Sequence, residues 1–131
     1  MIVQSIHEMS IVDVFKRGMP NEEYVCVQVN KDVQMGQFGV MVGSSVGSGG
    51  ALPVKDRMYW FGNGIAKRGD WIFLFTGSGT PKCIDNENGE GRSYSLFWGR
   101  GTTLFAGSGI VPVLFKVGAV DIGNPQLDVQ Q

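Results

Sequence analysis

The residues that could perform catalysis are few and far apart in this 131-residue chain. His7 is the single histidine, so any Ser-His-Asp or Cys-His arrangement would have to use it as the general base. Cys26 and Cys83 are the only cysteines, whereas a structural zinc ion needs four Cys or His ligands. The sequence therefore predicts a protein that is not an enzyme, with no catalytic residues, no metal site and no cofactor.

The acidic residues give two weaker indications of chemistry. The segment Asp85-Glu90 offers several hard oxygens, but Gly89 stands where an EF-hand needs an oxygen ligand. We expect a solvated loop there, and weak cation binding stays open. Asp13, Asp56 and Asp70 lie in or beside predicted strands, and nothing in the sequence brings two of them to a defined separation. An enzyme with a carboxylate site is therefore the least favoured function.

The residues most typical of binding lie on one predicted strand and at its ends. Tyr94 and Trp98 alternate on one face, with Arg92 two residues before and Arg100 two residues after. Tyr, Trp and Arg are enriched in interface hot spots because they bury a large area at modest entropic cost. Arg92, Tyr94, Trp98 and Arg100 are therefore the candidate binding residues, although for Trp98 itself a core position that the arginines merely flank is favoured over an interface.

The elements that must position these side chains are predicted from glycine spacing. Twenty glycines include six G-x-G pairs, set between short runs of β-branched and aromatic residues. This pattern predicts an all-β fold, an antiparallel β-sandwich of immunoglobulin-like type with about eight short strands and Gly-rich turns. The predicted strands are 10–17, 22–30, 37–42, 52–61, 70–76, 93–98, 102–105 and 110–120.

The clearest alternation lies in the segment 22–30. It predicts that Val25, Val27 and Val29 face the core while Tyr24 and Cys26 face outward.

Two later segments give further expectations. The segment 70–76 is apolar on both faces and reads as a central strand covered on both sides. Trp60 and Trp71 are expected in the core because both lie in strongly apolar strands. Asp56 falls on an otherwise apolar face, where a bulge or a buried hydrogen bond would accommodate it.

The chain length indicates one domain. We expect an N-terminal arm at 1–9, a β-sandwich domain at 10–123 and a polar C-terminal tail at 124–131, with a flexible loop at 43–50 inside the domain.

Composition narrows the function and the location. The net charge of −1 disfavours general nucleic-acid binding, and the 18% of charged residues suits a surface that contacts partners. Two cysteines are too few for a secreted disulfide scaffold, so we expect reduced thiols and a cytoplasmic location. The start MIVQSIHEMS lacks the features of a secretory signal, and no apolar run approaches the roughly 18 residues of a membrane span.

The region from about residue 10 to 117 resembles the lamin-tail domain, an immunoglobulin-like β-sandwich. The similar motifs are EYVCVQVN (23–30), VQMGQFGV (33–40), the aromatic pair Trp60-Phe61, AKRGDWI (66–72), and Trp98 with the final strand to Val117. The chain departs from the family pattern in its glycine-rich segments 43–50 and 99–109. The resemblance implies a binding or tethering role without catalysis, because the family has no active-site motif.

Together these observations predict a non-enzymatic protein-interaction or tethering module. Its partner is expected to be another protein or a second copy of the chain, through an exposed sheet edge or the Arg92–Arg100 face. The alternative is a small-ligand or carbohydrate binding protein that uses Tyr94 and Trp98. No membrane partner is expected, and nucleic acid is disfavoured.

Overall fold

The computed structural model describes residues 5–87 and 89–126. Their regular structure is all-β, apart from one 3₁₀ turn at Met35–Gln37. Positions 1–4 of the predicted arm and 127–131 of the predicted tail lie outside the described residues. The strands are β1 (Met9–Phe15), β2 (Tyr24–Val29), β3 (Val33–Gln34), β4 (Phe38–Ser45), β5 (Ala51–Trp60), β6 (Ile65–Ala66), β7 (Trp71–Phe75), β8 (Lys82–Asp85), β9 (Arg92–Phe97) and β10 (Ile110–Lys116).

The strands form three sheets. The largest has five strands in the order β1-β2-β7-β9-β8, the second has the order β10-β4-β5, and β3 pairs with β6. The expectation of purely antiparallel sheets is wrong, because β7 and β9 pair in parallel, with Trp71 opposite Ser93 and Phe75 opposite Phe97. The reason is the path of the chain, which leaves β7, forms β8 at the edge of the sheet and returns as β9 between the two.

One hydrophobic cluster takes side chains from both larger sheets. The predicted inward positions Val25, Val27 and Val29 are confirmed, since each is at most 1% exposed. The other strand residues of the cluster that are at most 2% exposed are Met9, Phe38, Val40, Val42, Ala66, Ile72 and Leu74. Burying a large aliphatic or aromatic side chain contributes roughly 1.5–3 kcal/mol, so this cluster is the main source of stability.

A buried carboxylate lies at one end of this cluster. Glu23 is fully buried, and its two oxygens accept hydrogen bonds from the Thr76 hydroxyl and from the backbone N–H groups of Gly18, Leu104 and Phe105. The segment 102–105, predicted as a strand, is not one, because its backbone N–H groups bind this carboxylate instead of a neighbouring strand. The strand β8 lies between the predicted strands 70–76 and 93–98, where the sequence predicts no strand.

The second sheet ends in an irregular edge strand. Opposite β4, Met58 pairs with Met41 and Pro53 pairs with Gly43, so residues 54–57 bulge out. Asp56 has a φ of 60° there, so the predicted bulge is confirmed. Trp60 is 52% exposed, and the prediction that it lies in the core is wrong. Its strand is at an edge, and its indole Nε1 donates to the Gly36 carbonyl at 2.6 Å.

The two cysteines are both free. Cys26 is buried, which raises the pKa of its thiol, and Cys83 is exposed on β8. No helix in the described part of the chain has the length and hydrophobicity that crossing a membrane requires.

Candidate functional site

Two of the four predicted binding residues pack against the core. The hydroxyl of Tyr94 donates to the Ile65 carbonyl at 3.2 Å, and burial raises the pKa of the Tyr94 phenol. The ring centroid of Trp98 lies 5.8 Å from that of Tyr59, on the edge of the hydrophobic cluster. Trp98 is thus partly buried and packs against the core, close to the core position that the sequence favours for it.

Arg92 and Arg100 contact different parts of the structure. The Arg92 Nε lies 3.3 Å from an oxygen of Asp85, and this neighbouring charge raises the pKa of the guanidinium. Arg100 donates to the backbone carbonyl of Asp56 at 2.5 Å, which ties the segment after β9 to the β5 bulge. The structure brings Arg92 and Tyr94 into one cleft, and Arg100 and Trp98 do not line it. A binding role for the four residues stays a prediction.

The cleft beside Arg92 and Tyr94 has a volume of about 680 Å³. Lys67 and Arg68, from the turn between β6 and β7, also line it, so three basic side chains reach the same space. The Arg92–Asp85 pair is neutral as a whole and the Asp70 carboxylate is bound to backbone N–H groups, so Lys67 and Arg68 give the cleft a positive balance that suits a small anion better than a cation.

The floor of the cleft is fixed by hydrogen bonds. Asp70 is buried, and its carboxylate accepts from the backbone N–H groups of Lys67 at 2.8 Å and Arg92 at 2.9 Å. Gly91 has a φ of +76°, and a Cβ there would lie 2.6 Å from the Gly69 carbonyl oxygen. Only glycine fits this position without a shift of the backbone.

A larger surface lies on the side of the five-stranded sheet that is turned away from the hydrophobic cluster. We call this side the outer face. Its first row crosses four strands and consists of Phe15, Tyr24, Phe75 and Phe97. Neighbouring rings contact one another, with centroid separations of 5.3, 5.0 and 5.2 Å along the row. Phe15 is 40% exposed and the other three rings are partly exposed.

The second row of the outer face crosses all five strands. It runs in the order Asp13, Cys26, Phe73, Ser95 and Lys82. Phe73 lies on the central strand, and its ring centroid is 5.8 Å from that of Tyr24 in the first row. Cys26 points outward as predicted but is buried beneath its neighbours. The two charged residues of the row, Asp13 and Lys82, stand at opposite ends of it, and both are exposed.

The third row joins polar and apolar residues. It runs in the order Ser10, Gln28, Trp71, Ser93 and Ile84. Trp71 is half-buried on this outer face, so the expectation that it lies in the core is wrong. Ile84 is 57% exposed at the end of the row. The three rows together form a surface on which six of the fourteen side chains are aromatic, with charges at two edges.

The sequence did not predict the outer face, although one feature of the sequence indicated it. The segment 70–76 is apolar on both faces, and the sequence predicts that both faces are covered. Only one of them faces the hydrophobic cluster, and the other carries Trp71, Phe73 and Phe75. The exposed aromatics are the residues that a second surface would cover.

The carboxylates considered for catalysis are distributed over different elements. Asp13 lies on β1, Asp56 in the β5 bulge and Asp70 before β7. Within residues 5–87 and 89–126, no three His, Cys, Asp or Glu side chains are grouped as metal ligands. In the segment Asp85-Glu90, Asn88 lies outside the described residues. Comparisons with protein-family models, curated protein sequences and solved structures yielded no match.

Proposed function

We propose that this chain is a non-enzymatic protein-interaction module that binds its partner through the outer face. The observation that carries the proposal is the presence of six partly exposed aromatic side chains on one side of a sheet: Phe15, Tyr24, Trp71, Phe73, Phe75 and Phe97. A sheet face that meets only water normally carries polar side chains. Contiguous exposed apolar surface marks interaction sites, and aromatic residues are enriched at the centre of protein interfaces.

The outer face is also prepared for binding. Each aromatic ring is attached to a hydrogen-bonded strand, and Phe15, Tyr24, Phe75 and Phe97 are held by ring contacts with their neighbours. Few side-chain rotamers remain to be ordered when a partner docks. The entropic penalty of association is therefore small for the area that is covered.

We propose further that the two larger sheets form an immunoglobulin-like β-sandwich similar to the lamin-tail domain. The hydrophobic cluster supports this, since it draws side chains from both sheets. The parallel pairing of β7 with β9 is the feature that a purely antiparallel sandwich would lack.

Site-specific photo-crosslinking in living cells tests the interaction function. A benzophenone amino acid at Ser95, in the middle of the outer face, should capture a protein. The same amino acid at Lys55, in the β5 bulge and outside the face, serves as the matched control. A protein adduct at Ser95 and none at Lys55 supports the proposal. Equal adducts at both positions, or none at Ser95, contradict it.

The cleft supports a second candidate, binding of a small anionic ligand. The specific observation is a cavity of about 680 Å³ that Lys67, Arg68 and Arg92 line together. Charge-assisted hydrogen bonds from such groups to phosphate or carboxylate oxygens are about twice as strong as neutral ones.

Calorimetric titration tests whether the cleft binds a small anion. Glucose 6-phosphate should bind and glucose should not, because the basic side chains recognise the charged group. The variant Arg68→Ala should lose the binding, while Lys31→Ala, a change of an exposed lysine that does not line the cleft, should retain it. No heat with the phosphate, or equal heats with both sugars, would remove this candidate.

A further inference from the structure

We propose that the partner of the outer face is a second copy of this chain, related by a twofold axis that lies between the two copies, parallel to β7 and above Phe73. This inference rests on the proposed interaction function and specifies its partner. It follows from the distribution of charge and ring positions over the three rows of the outer face.

The strand order gives the outer face a centre. Two strands lie on each side of β7, and the second row places Phe73 in the middle, Asp13 on one edge strand and Lys82 on the other. A twofold axis parallel to the strands reverses the strand order between the two copies and leaves each row opposite itself. Asp13 then lies over Lys82 of the partner subunit, and the symmetry repeats this pair on the other side.

Several of the remaining positions are also matched under the same operation, whereas Ser10 comes to lie over the apolar Ile84 of the partner subunit. Phe73 meets Phe73 of the partner subunit at the centre, and Trp71 meets its own copy in the third row. Tyr24 comes to lie over Phe97 of the partner subunit, an aromatic pair. Gln28 comes to lie over Ser93 of the partner subunit, where an amide and a hydroxyl can share a hydrogen bond. Two twisted sheets pack in this aligned way about 10 Å apart in known β-sandwiches.

Within one copy the two charges do not form a pair. Asp13 and Lys82 are separated by four strand spacings, which is roughly 19 Å at about 4.8 Å per spacing. Screening at physiological ionic strength acts over about 8 Å, so their mutual attraction inside one copy is small. Any energetic coupling between Asp13 and Lys82 therefore reports contact between two copies.

The size of the face sets the expected affinity. Five strands about 4.8 Å apart and about 17 Å long cover a flat area of roughly 330–400 Å² per copy. For the two copies together this is roughly 660–800 Å², below the roughly 1,200–2,000 Å² of stable specific interfaces and in the range of weak, transient contacts, so we expect a reversible dimer with a dissociation constant in the upper micromolar range.

Sedimentation equilibrium of the full chain at about 1 to 500 μM tests the proposal, a range chosen to bracket the micromolar dissociation constants of small interfaces. The single variants Asp13→Lys and Lys82→Asp should each weaken dimerisation about tenfold, because each replaces two opposite-charge contacts by two like-charge contacts. The double variant should restore the wild-type dissociation constant to within about threefold, since the swap recreates both pairs with reversed sign. Lys55→Asp is the matched control and should leave dimerisation unchanged.

Folding is checked separately, because the Asp13 carboxylate also accepts a hydrogen bond from the Val14 N–H at 2.7 Å. Lys82→Asp changes an exposed side chain on an edge strand, so it tests the pair even where Asp13→Lys unfolds. Phe73→Ser, at the centre, should abolish the dimer.

Three results would overturn the proposal: a monomer throughout the concentration range, a dimer indifferent to both charge reversals, or a dimer that the double variant fails to restore. They do not decide the proposed function. A monomer whose Ser95 position still crosslinks to a different protein would keep the interaction function and exclude the second copy. Absence of both dimer and crosslink would remove both.

Discussion

The two faces of the five-stranded sheet both carry large apolar side chains, yet they differ in residue type and exposure. The inner face carries aliphatic side chains such as Val27, Ile72 and Leu74, which are completely buried. The outer face carries aromatic rings such as Phe73 and Phe75, which are partly exposed. The presence of large apolar side chains alone therefore does not distinguish the face that stabilises the fold from the one for which we propose a partner.

The five residues of β7 show this difference between the inner and the outer face. Its sequence, WIFLF, alternates aromatic residues outward with aliphatic residues inward. Branched aliphatic side chains fill a close-packed interior, whereas aromatic rings offer a large contact area with few rotatable bonds. We therefore expect changes on the inner face to affect stability, and changes on the outer face to affect association.

The largest effect is expected at the buried end of the inner face. Glu23→Ala should lower the free energy of unfolding by about 3–5 kcal/mol, because four donors lose their acceptor in a buried site. Urea denaturation measures the change. Glu22→Ala is the matched control, since Glu22 is exposed and its ion pair with Lys16 contributes at most about 1 kcal/mol. Equal losses in the two variants would show that the carboxylate is not a structural centre.

A slightly smaller effect is expected in the middle of the inner face. Leu74→Ala should lower the free energy of unfolding by about 2–4 kcal/mol, because it leaves a cavity in the hydrophobic cluster. The same denaturation experiment measures it, with circular dichroism confirming that the variant is folded. A loss below about 1 kcal/mol would mean that the inner face is loosely packed.

The neighbouring residue should behave differently. Phe73→Thr should lower the free energy of unfolding of the monomer by about 1–2 kcal/mol, less than Leu74→Ala, because the ring is partly exposed and threonine favours strands. The measurement is made in dilute solution, where association does not contribute. If Phe73→Thr destabilises the monomer as much as Leu74→Ala, the outer face belongs to the core and the contrast between the faces is lost.

The smallest effect concerns an ion pair between the segment before β1 and the end of β10. Lys116 donates to Glu8, and this hydrogen bond holds the Glu8 pKa below its ordinary value of 4.5. A carboxylate with a lowered pKa stabilises the fold above its ordinary pKa and ceases to do so as the pH falls through the folded value. Wild type should melt slightly above Glu8→Gln at pH 7, and the difference should vanish well below pH 4.5. If the difference in melting temperature does not change with pH, the ion pair between Glu8 and Lys116 is not its source.

Local alternation predicted a good part of the fold. Val25, Val27 and Val29 were assigned to the core correctly, because a period of two depends only on neighbouring residues. Trp60 was assigned wrongly, because its exposure depends on the position of β5 at a sheet edge. The binding of the Glu23 carboxylate joins residues more than 80 positions apart, and no local pattern encodes that contact.

For the candidate sites, too, contacts within one strand were predictable from the sequence and contacts between distant segments were not. Arg92 and Tyr94, two residues apart on one strand, do reach a common cleft. Trp98 and Arg100 lie beyond the end of β9, where the strand geometry that the prediction assumed no longer applies. The outer face requires the order of β1, β2, β7 and β9, which includes one parallel pairing, and the alternation within a strand does not determine that order.

The insertion of β9 between β7 and β8 has a consequence for the way the chain reaches its native state. The β8–β9 hairpin is closed by a short loop between Asp85 and Arg92, so it can form early, whereas the parallel pairing with β7 closes a longer segment and is expected to be slow. Until the hairpin docks, β7 has an open hydrogen-bonding edge beside its exposed rings. A newly synthesised chain is most prone to aggregate in that interval, and chaperones would be needed most at that moment.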